Sequence, residues 1–266
     1  LTRSGYVLTE ADLRDVAESL SKPLTEVQQD FLLVKIAAQL QADFPEQLCF
    51  KGGFVLRHVY GTERLSLDID ATRREPAGHK LDANDVAQAI RAAGKPLFRI
   101  PRIQPATDSG RSLDFDAVTF QGPISKGQVA VEVSYREELC LHPVRVPVGP
   151  PYIEPVVIAT MDPVEMLAEK YRTLCQRDRP TDLLDAASLW DGIAGEITPD
   201  SVAGLIPTKF ASRIVRGGNH ADRVRRNVES MQANYDSVIG ARAPGAMEYD
   251  RAAQLVLSKL SAVFRK

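Results

Sequence analysis

The sequence predicts an α+β fold in two lobes, a mixed-sheet half followed by an all-helical half, and three observations predict it. Short runs of alternating apolar and polar residues, separated by Gly and Pro turn signals, dominate the stretch from Gln47 to Tyr135. The segment Pro147 to Pro155 then holds four prolines and one glycine in nine residues, a break in the pattern. Beyond Asp162 the apolar residues recur at helical spacing behind proline and N-cap signals. The break places one domain at 1–155 and a second at 156–266, with no internal repeat.

Taken in order, Thr9 caps a short helix to Leu20, and a longer helix runs from Leu24 to Phe44 with Val27, Phe31, Leu32, Val34 and Ile36 on its apolar side. A strand from Gln47 to Phe50 meets Gly52-Gly53, a helix carries Val55, Leu56 and Val59, and Gly61 ends it before a strand built on Ser66, Asp68 and Asp70. A helix near 83–93 follows. Strands are expected at 97–104, 113–120 and 128–135, the last two joined by a Gly122-Pro123 turn. In the second half Asp162-Pro163 is an N-cap with proline in the first turn, opening a helix to about Arg177, and Pro180 opens the next. Further helices are expected at 199–216, 219–239 and 246–264, with Gly217-Gly218 as a hinge.

The chemistry concentrates between Lys51 and Asp70. Ser66, Asp68 and Asp70 alternate with Leu65, Leu67 and Ile69, so the polar trio is expected on one strand face and the apolar trio in a core. Two carboxylates on one face suit Mg²⁺, a hard cation that takes oxygen ligands and keeps sites for water and phosphates. A third acid, Glu132, faces opposite to Val131 and Val133 on a later strand; if the two strands pair, three carboxylates converge. That trio is what two-metal phosphoryl or nucleotidyl transfer requires. Ser134 falls on the Glu132 face and reads as an ordinary surface serine. Gly52-Gly53 at a helix start lets backbone N–H groups approach a phosphate, with Lys51 just before it, although such a pair is by itself most often a turn.

Composition narrows the partners. A formal charge of −2 excludes a uniformly basic coat, so polynucleotide contact has to come from local surfaces. Two stretches qualify: Arg91, Lys95, Arg99, Arg102 and Arg111, and Lys209, Arg213, Arg216, Arg223, Arg225 and Arg226, each with a solvated face as the alternative reading. Cys49, Cys140 and Cys175 are odd in number and widely spaced, against a disulfide framework or a zinc site. With no long apolar run and no signal-peptide core at the start, a cytoplasmic protein without membrane contact is expected. His58, His79, His142 and His220 show no ligand spacing.

Lys51-Gly-Gly-x-x-Leu-Arg followed by Arg64-x-Ser-x-Asp-Ile-Asp resembles the first motif of the AbiEii/MenT-type nucleotidyltransferase toxins, of the DNA polymerase β-like superfamily. Leu167-Ala-Glu-Lys-Tyr-Arg resembles that family's lysine-bearing helix, and Thr181-Asp-Leu-Leu-Asp185 its Arg-Asp-x-x-Asp motif, with Thr181 where arginine is usual. The match spans roughly Phe50 to Trp190. Lys170 and Arg177 lie two helical turns apart and so are expected to point from one face at triphosphate oxygens. Asp182 and Asp185 stand at i, i+3; one of them caps the helix, and Asp185 orients Lys170 or the nucleotide.

The resemblance implies a polymerase β-like core, an NTP bound with Mg²⁺ between the two halves, and transfer of a nucleoside monophosphate to the 3′ end of tRNA, with CTP or UTP favoured. In that assignment Asp68 and Asp70 bind metal, Glu132 completes the metal site and assists the nucleophile, and Lys170 and Asp185 act at the catalytic centre. Lys51, Gly52, Gly53 and Ser66, with Arg177 and Asp182, hold the nucleotide. The implied partners are tRNA and a cognate antitoxin, with the toxin a monomer. Two rivals use the same residues: nucleotidylation of a protein hydroxyl, and an inactive nucleotidyltransferase fold serving as a binding module.

Overall fold

The structure, a computed structural model, describes residues 9–62, 64, 66–74, 81–104, 106–109, 111–149, 155–211, 219–243 and 245–265. Leu65, His79, Arg213, Arg216, Gly217-Gly218 and most of the 147–155 break fall outside them. The chain divides into two units. The first takes the chain up to Phe50, Ser66–Tyr135 and Arg145–Ala159; the second takes Lys51–Leu65, Arg136–Val144 and Thr160 onward. The boundary near residue 160 lies close to the one expected at 155, but two earlier segments belong to the second unit.

The first unit is built on α1 (Glu10–Ser19), α2 (Leu24–Asp43), β1 (Leu48–Lys51), β2 (Asp68–Arg73), α4 (Ala83–Ala93), β3 (Arg99–Ile103), β4 (Thr107–Asp108), β5 (Ser112–Gln121), β6 (Lys126–Ser134), β7 (Val144–Val148) and β8 (Val156–Thr160), while the short helix α3 (Gly52–His58) follows β1 into the second. The strands form one sheet in the order β3-β5-β6-β2-β1-β8-β7, with β4 on β5. It is mixed: β2 runs parallel to β6, whereas β5 is antiparallel to both β6 and β3. Thr9 caps α1 in a reciprocal capping box with Asp12. Val129, Val131 and Val133 of β6 and Leu113, Phe115, Val118 and Phe120 of β5 are buried, and Phe98 bridges the rings of Phe31 and Phe120 at 5.9 Å each.

The hairpin between β5 and β6 shows how a local signal is completed by a distant residue. Gly122 donates to the Ser125 carbonyl, and the fully buried Gln28 of α2 accepts from the Ile124 and Ser125 N–H groups while donating to Ser125. A Cβ on Gly122 would stand 2.3 Å from the Gln28 amide oxygen, so a side chain there would displace the amide that holds the turn.

β7 and β8 were not expected; the proline-rich segment obscured them. β7 is the last strand in the order, and an edge is where Pro147 costs no ladder hydrogen bond. Ser66 and Leu67 also differ from the expected alternation. β2 begins only at Asp68, Ser66 is buried and Leu67 is half exposed. The chain bends there because the Ser66 hydroxyl donates to both the backbone carbonyl and the carboxylate of Asp68.

The second unit is mainly helical: α5 (Pro163–Gln176), α6 (Pro180–Trp190), α7 (Pro199–Ala211), α8 (His220–Ser230), α9 (Tyr235–Arg242), α10 (Tyr249–Leu257) and α11 (Leu260–Val263). α5 is its centre, packed on α6, α7 and α8. Asp162 caps it by accepting from the Val164 N–H at 2.8 Å. Tyr171 is wholly buried, donates to the Val256 carbonyl and accepts from Trp190 Nε1 at 2.8 Å. The helix expected over 219–239 breaks into α8 and α9, and the one over 246–264 into α10 and α11. Tyr235 and Tyr249, the first residues of α9 and α10, are each hydrogen-bonded to a distant carbonyl, and their rings meet edge-on at 5.7 Å.

Candidate active site

The predicted acids lie in the first unit. The parallel register pairs Asp68 with Ala130, Asp70 with Glu132 and Thr72 with Ser134, so Asp70 and Glu132 are direct neighbours on one face and Asp68 is one pleat away. Ile69 and Ala71 point the other way and are buried. The strand pairing on which the three-acid expectation depended is therefore present. The expected convergence is not complete: among the described residues no three His, Cys, Asp or Glu side chains stand together closely enough to hold an ion. The backbones bring these oxygen donors into register on adjacent strands, the donor type that a hard cation takes.

β5 adds an acid that the sequence reading missed. Asp114 lies directly opposite Glu132, which makes a row of Asp70, Glu132 and Asp114 across three strands. The signal was present, because Ser112-x-Asp114 repeats the Ser66-x-Asp68 pattern. In each pair the serine hydroxyl donates to the carboxylate two residues later at 2.8 Å. Ser134 lies on the same face, as expected, but is buried rather than at the surface.

A second cluster lies in the second unit as a chain of alternating charges. Lys170 on α5 donates to Asp182 Oδ1 at 2.9 Å and reaches Asp185 Oδ2 at 2.7 Å, both on α6. Arg177 Nε lies 2.7 Å from Asp182 Oδ2, and Arg64 grips Asp185 with Nε at 3.1 Å and Nη2 at 3.0 Å. Burial pulls the Lys170 pKa down, but the charges of Asp185 and Asp182 outweigh it and hold the ammonium above its usual value. Burial likewise opposes ionisation of Asp182, yet the Lys170 charge and the Arg177 hydrogen bond keep it below the usual carboxylate range.

Several sequence-predicted residues sit differently. Arg177 is the extended C-cap residue of α5, so it meets Lys170 through Asp182 and not along a shared helix face. Neither aspartate caps α6, whose N-cap residue, Arg179, makes no side-chain cap bond. Lys51, expected to face phosphates, is buried and paired with Glu137 and, at 3.1 Å, with Glu169. Gly52 opens α3 at φ +72°, a backbone angle that favours glycine. Lys209, counted among surface cations, is fully buried against Glu165 and Glu169. Glu165 also accepts from the Cys140 and Leu141 N–H groups at 2.9 Å. Lys51, Lys209 and Arg172 thus balance Glu137, Glu165 and Glu169 inside the second unit.

A mixed sheet with acids in register, followed by a lysine-bearing helix, is the architecture of polymerase β-like nucleotidyltransferases. Residues 36–255 match the family described as nucleotidyl transferase AbiEii toxin, type IV TA system. The chain belongs to this family. Its fold is similar to that of MenT4, a nucleotidyltransferase toxin from Mycobacterium tuberculosis, at TM-score 0.68 and 16% identity over 98% of this chain and 91% of that one. It is also similar to a putative nucleotidyltransferase from Helicobacter pylori, at TM-score 0.57 and 14% identity over 90% and 94%. JHP933 from Helicobacter pylori gives TM-score 0.57 and 14% identity over 90% and 91%. No curated protein sequence matches significantly. Membership implies an NTP substrate and a cognate antitoxin. Among the described residues no helix is long and apolar enough to cross a membrane.

Proposed function

We propose that this toxin acts in the cytoplasm as a monomer and transfers a nucleoside monophosphate, from CTP or UTP, to the 3′ end of tRNA, which blocks translation. The observation that carries the transfer chemistry is the register of Asp70 against Glu132, with Asp68 one pleat away. Asp68, Asp70 and Glu132 would hold Mg²⁺, which when bound supplies positive charge to the phosphates and lowers the pKa of the attacking hydroxyl. Lys170 is the cation for the triphosphate, and Asp182 and Asp185 hold its ammonium in place until phosphate oxygens compete for it. The acceptor oxygen bonds to the α-phosphorus, the bond from that phosphorus to the bridging oxygen breaks, and pyrophosphate leaves. Glu132 takes the hydroxyl proton. Arg91, Lys95, Arg99 and Arg102 are all exposed and suit tRNA phosphates, so binding should fall steeply with salt.

The test incubates the protein with each labelled NTP, Mg²⁺ and either total tRNA or total protein. Label in tRNA, removed by trimming its 3′ end, is the expected result. Label in protein would transfer the reading to a protein hydroxyl, and wild-type toxicity matched by Asp68→Ala would reduce the fold to a binding module.

A further inference from the structure

The family's Arg-Asp-x-x-Asp motif is broken here at its first residue, where Thr181 stands. An arginine at 181 would lie one helical turn before Asp185 on α6, the i, i+4 spacing at which an Arg–Asp pair forms on a helix surface. Asp185 is nonetheless held by an arginine. Arg64, 121 residues earlier in the chain, makes a two-point contact with it, Nε to Oδ1 at 3.1 Å and Nη2 to Oδ2 at 3.0 Å. The Arg64 side chain is 10% exposed and that of Asp185 1%, so the pair is sheltered from solvent.

We infer that Arg64 is a positioning residue for the triphosphate-binding lysine, acting from the segment before β2. Two features support it. A fork that contacts both oxygens fixes the plane of the Asp185 carboxylate, which a lysine or a single hydrogen bond would leave free to turn. Oδ2, one of the two oxygens so fixed, is the atom that meets Lys170 at 2.7 Å. The second feature is charge. Arg64 adds a third cation to Lys170 and Arg177 around Asp182 and Asp185. A polyanion is attracted more strongly with that cation in place than without it.

The inference rests on Lys170 as the triphosphate cation, and the experiment separates the two. Binding of each NTP with Mg²⁺ is measured by calorimetry for wild type, Arg64→Gln, Arg64→Lys, Thr181→Arg and the double variant Arg64→Gln/Thr181→Arg, with thermal unfolding of each. Arg64→Gln should bind NTP about tenfold more weakly. Arg64→Lys, which keeps the charge and loses the fork, should fall between it and wild type, and Thr181→Arg should restore most of the affinity in the double variant. If Arg64→Gln does not fold, the same rescue is sought in Arg64→Lys/Thr181→Arg. Wild-type affinity in folded Arg64→Gln, or a loss that Thr181→Arg leaves untouched, would overturn the Arg64 assignment alone. A wild-type protein that binds no NTP would overturn the Lys170 reading and this inference with it.

Discussion

The acids of the two units find their partners by different means. In the first unit Asp68 and Asp114 each accept a serine hydroxyl, and Asp68 is exposed to solvent at the start of its strand. In the second unit Glu137, Glu165, Glu169, Asp182 and Asp185 are buried, and each has a lysine or arginine against it. Burying a carboxylate costs several kcal/mol unless a cation and hydrogen bonds compensate, so the second unit brings its own cations. The first unit presents a row of acids at half-exposed positions, a face suited to receiving positive charge from a metal ion. One region leaves its acids open to solvent, and the other uses buried acids and cations to hold its helices together.

The comparison makes graded predictions. The largest effect is expected at the acid face: Asp68→Ala should lower nucleotide transfer on the order of 10³-fold, the several kcal/mol of a lost metal ligand. Its thermal midpoint should stay near wild type because Asp68 is exposed; a large fall in midpoint would make Asp68 structural. Lys209→Met should do the reverse. It strands Glu165 and Glu169 without their shared ammonium, so chemical denaturation should show a loss of about 3–5 kcal/mol while activity per folded molecule is kept.

A pH effect comes next. Burial raises the Glu169 pKa, but the charges of Lys51, Lys209 and Arg172 outweigh it and bring it from 4.5 down to about 2. A depressed carboxylate contributes stability that is present above its unfolded pKa and lost as pH falls through the folded one. Wild-type stability should therefore drop from about pH 4.5 toward 2, and Glu169→Gln, although less stable at neutral pH, should show a shallower slope across that window. Equal slopes in the two proteins would refute the assignment. The smallest effect is expected at Asp114, the outer member of the acid row. Asp114→Asn should slow transfer only about fivefold, one charge-assisted hydrogen bond's worth, measured under single-turnover conditions.

What was readable in advance follows the range of the interaction responsible. The N-cap at Thr9, the Asp162-Pro163 helix start and the alternation of Val131, Glu132 and Val133 are decided within a few residues, and all stand in the structure where expected. The Ser66-Leu67 bend was misread because a local side-chain bond to Asp68 overrides the alternation. Asp114 was readable in its Ser-x-Asp pattern but gains meaning only once β5 lies beside β6.

By itself, then, the sequence determined most helices and strands, the acid-bearing faces of β2 and β6, and the helix that carries Lys170, because periodicity and caps are local. Only the tertiary structure decided which charges are buried. Lys51 and Lys209 resemble surface cations in sequence, and Arg64 finds Asp185 across 121 residues. Burial and ion pairing depend on which segments fold against each other, and no short window of sequence carries that information.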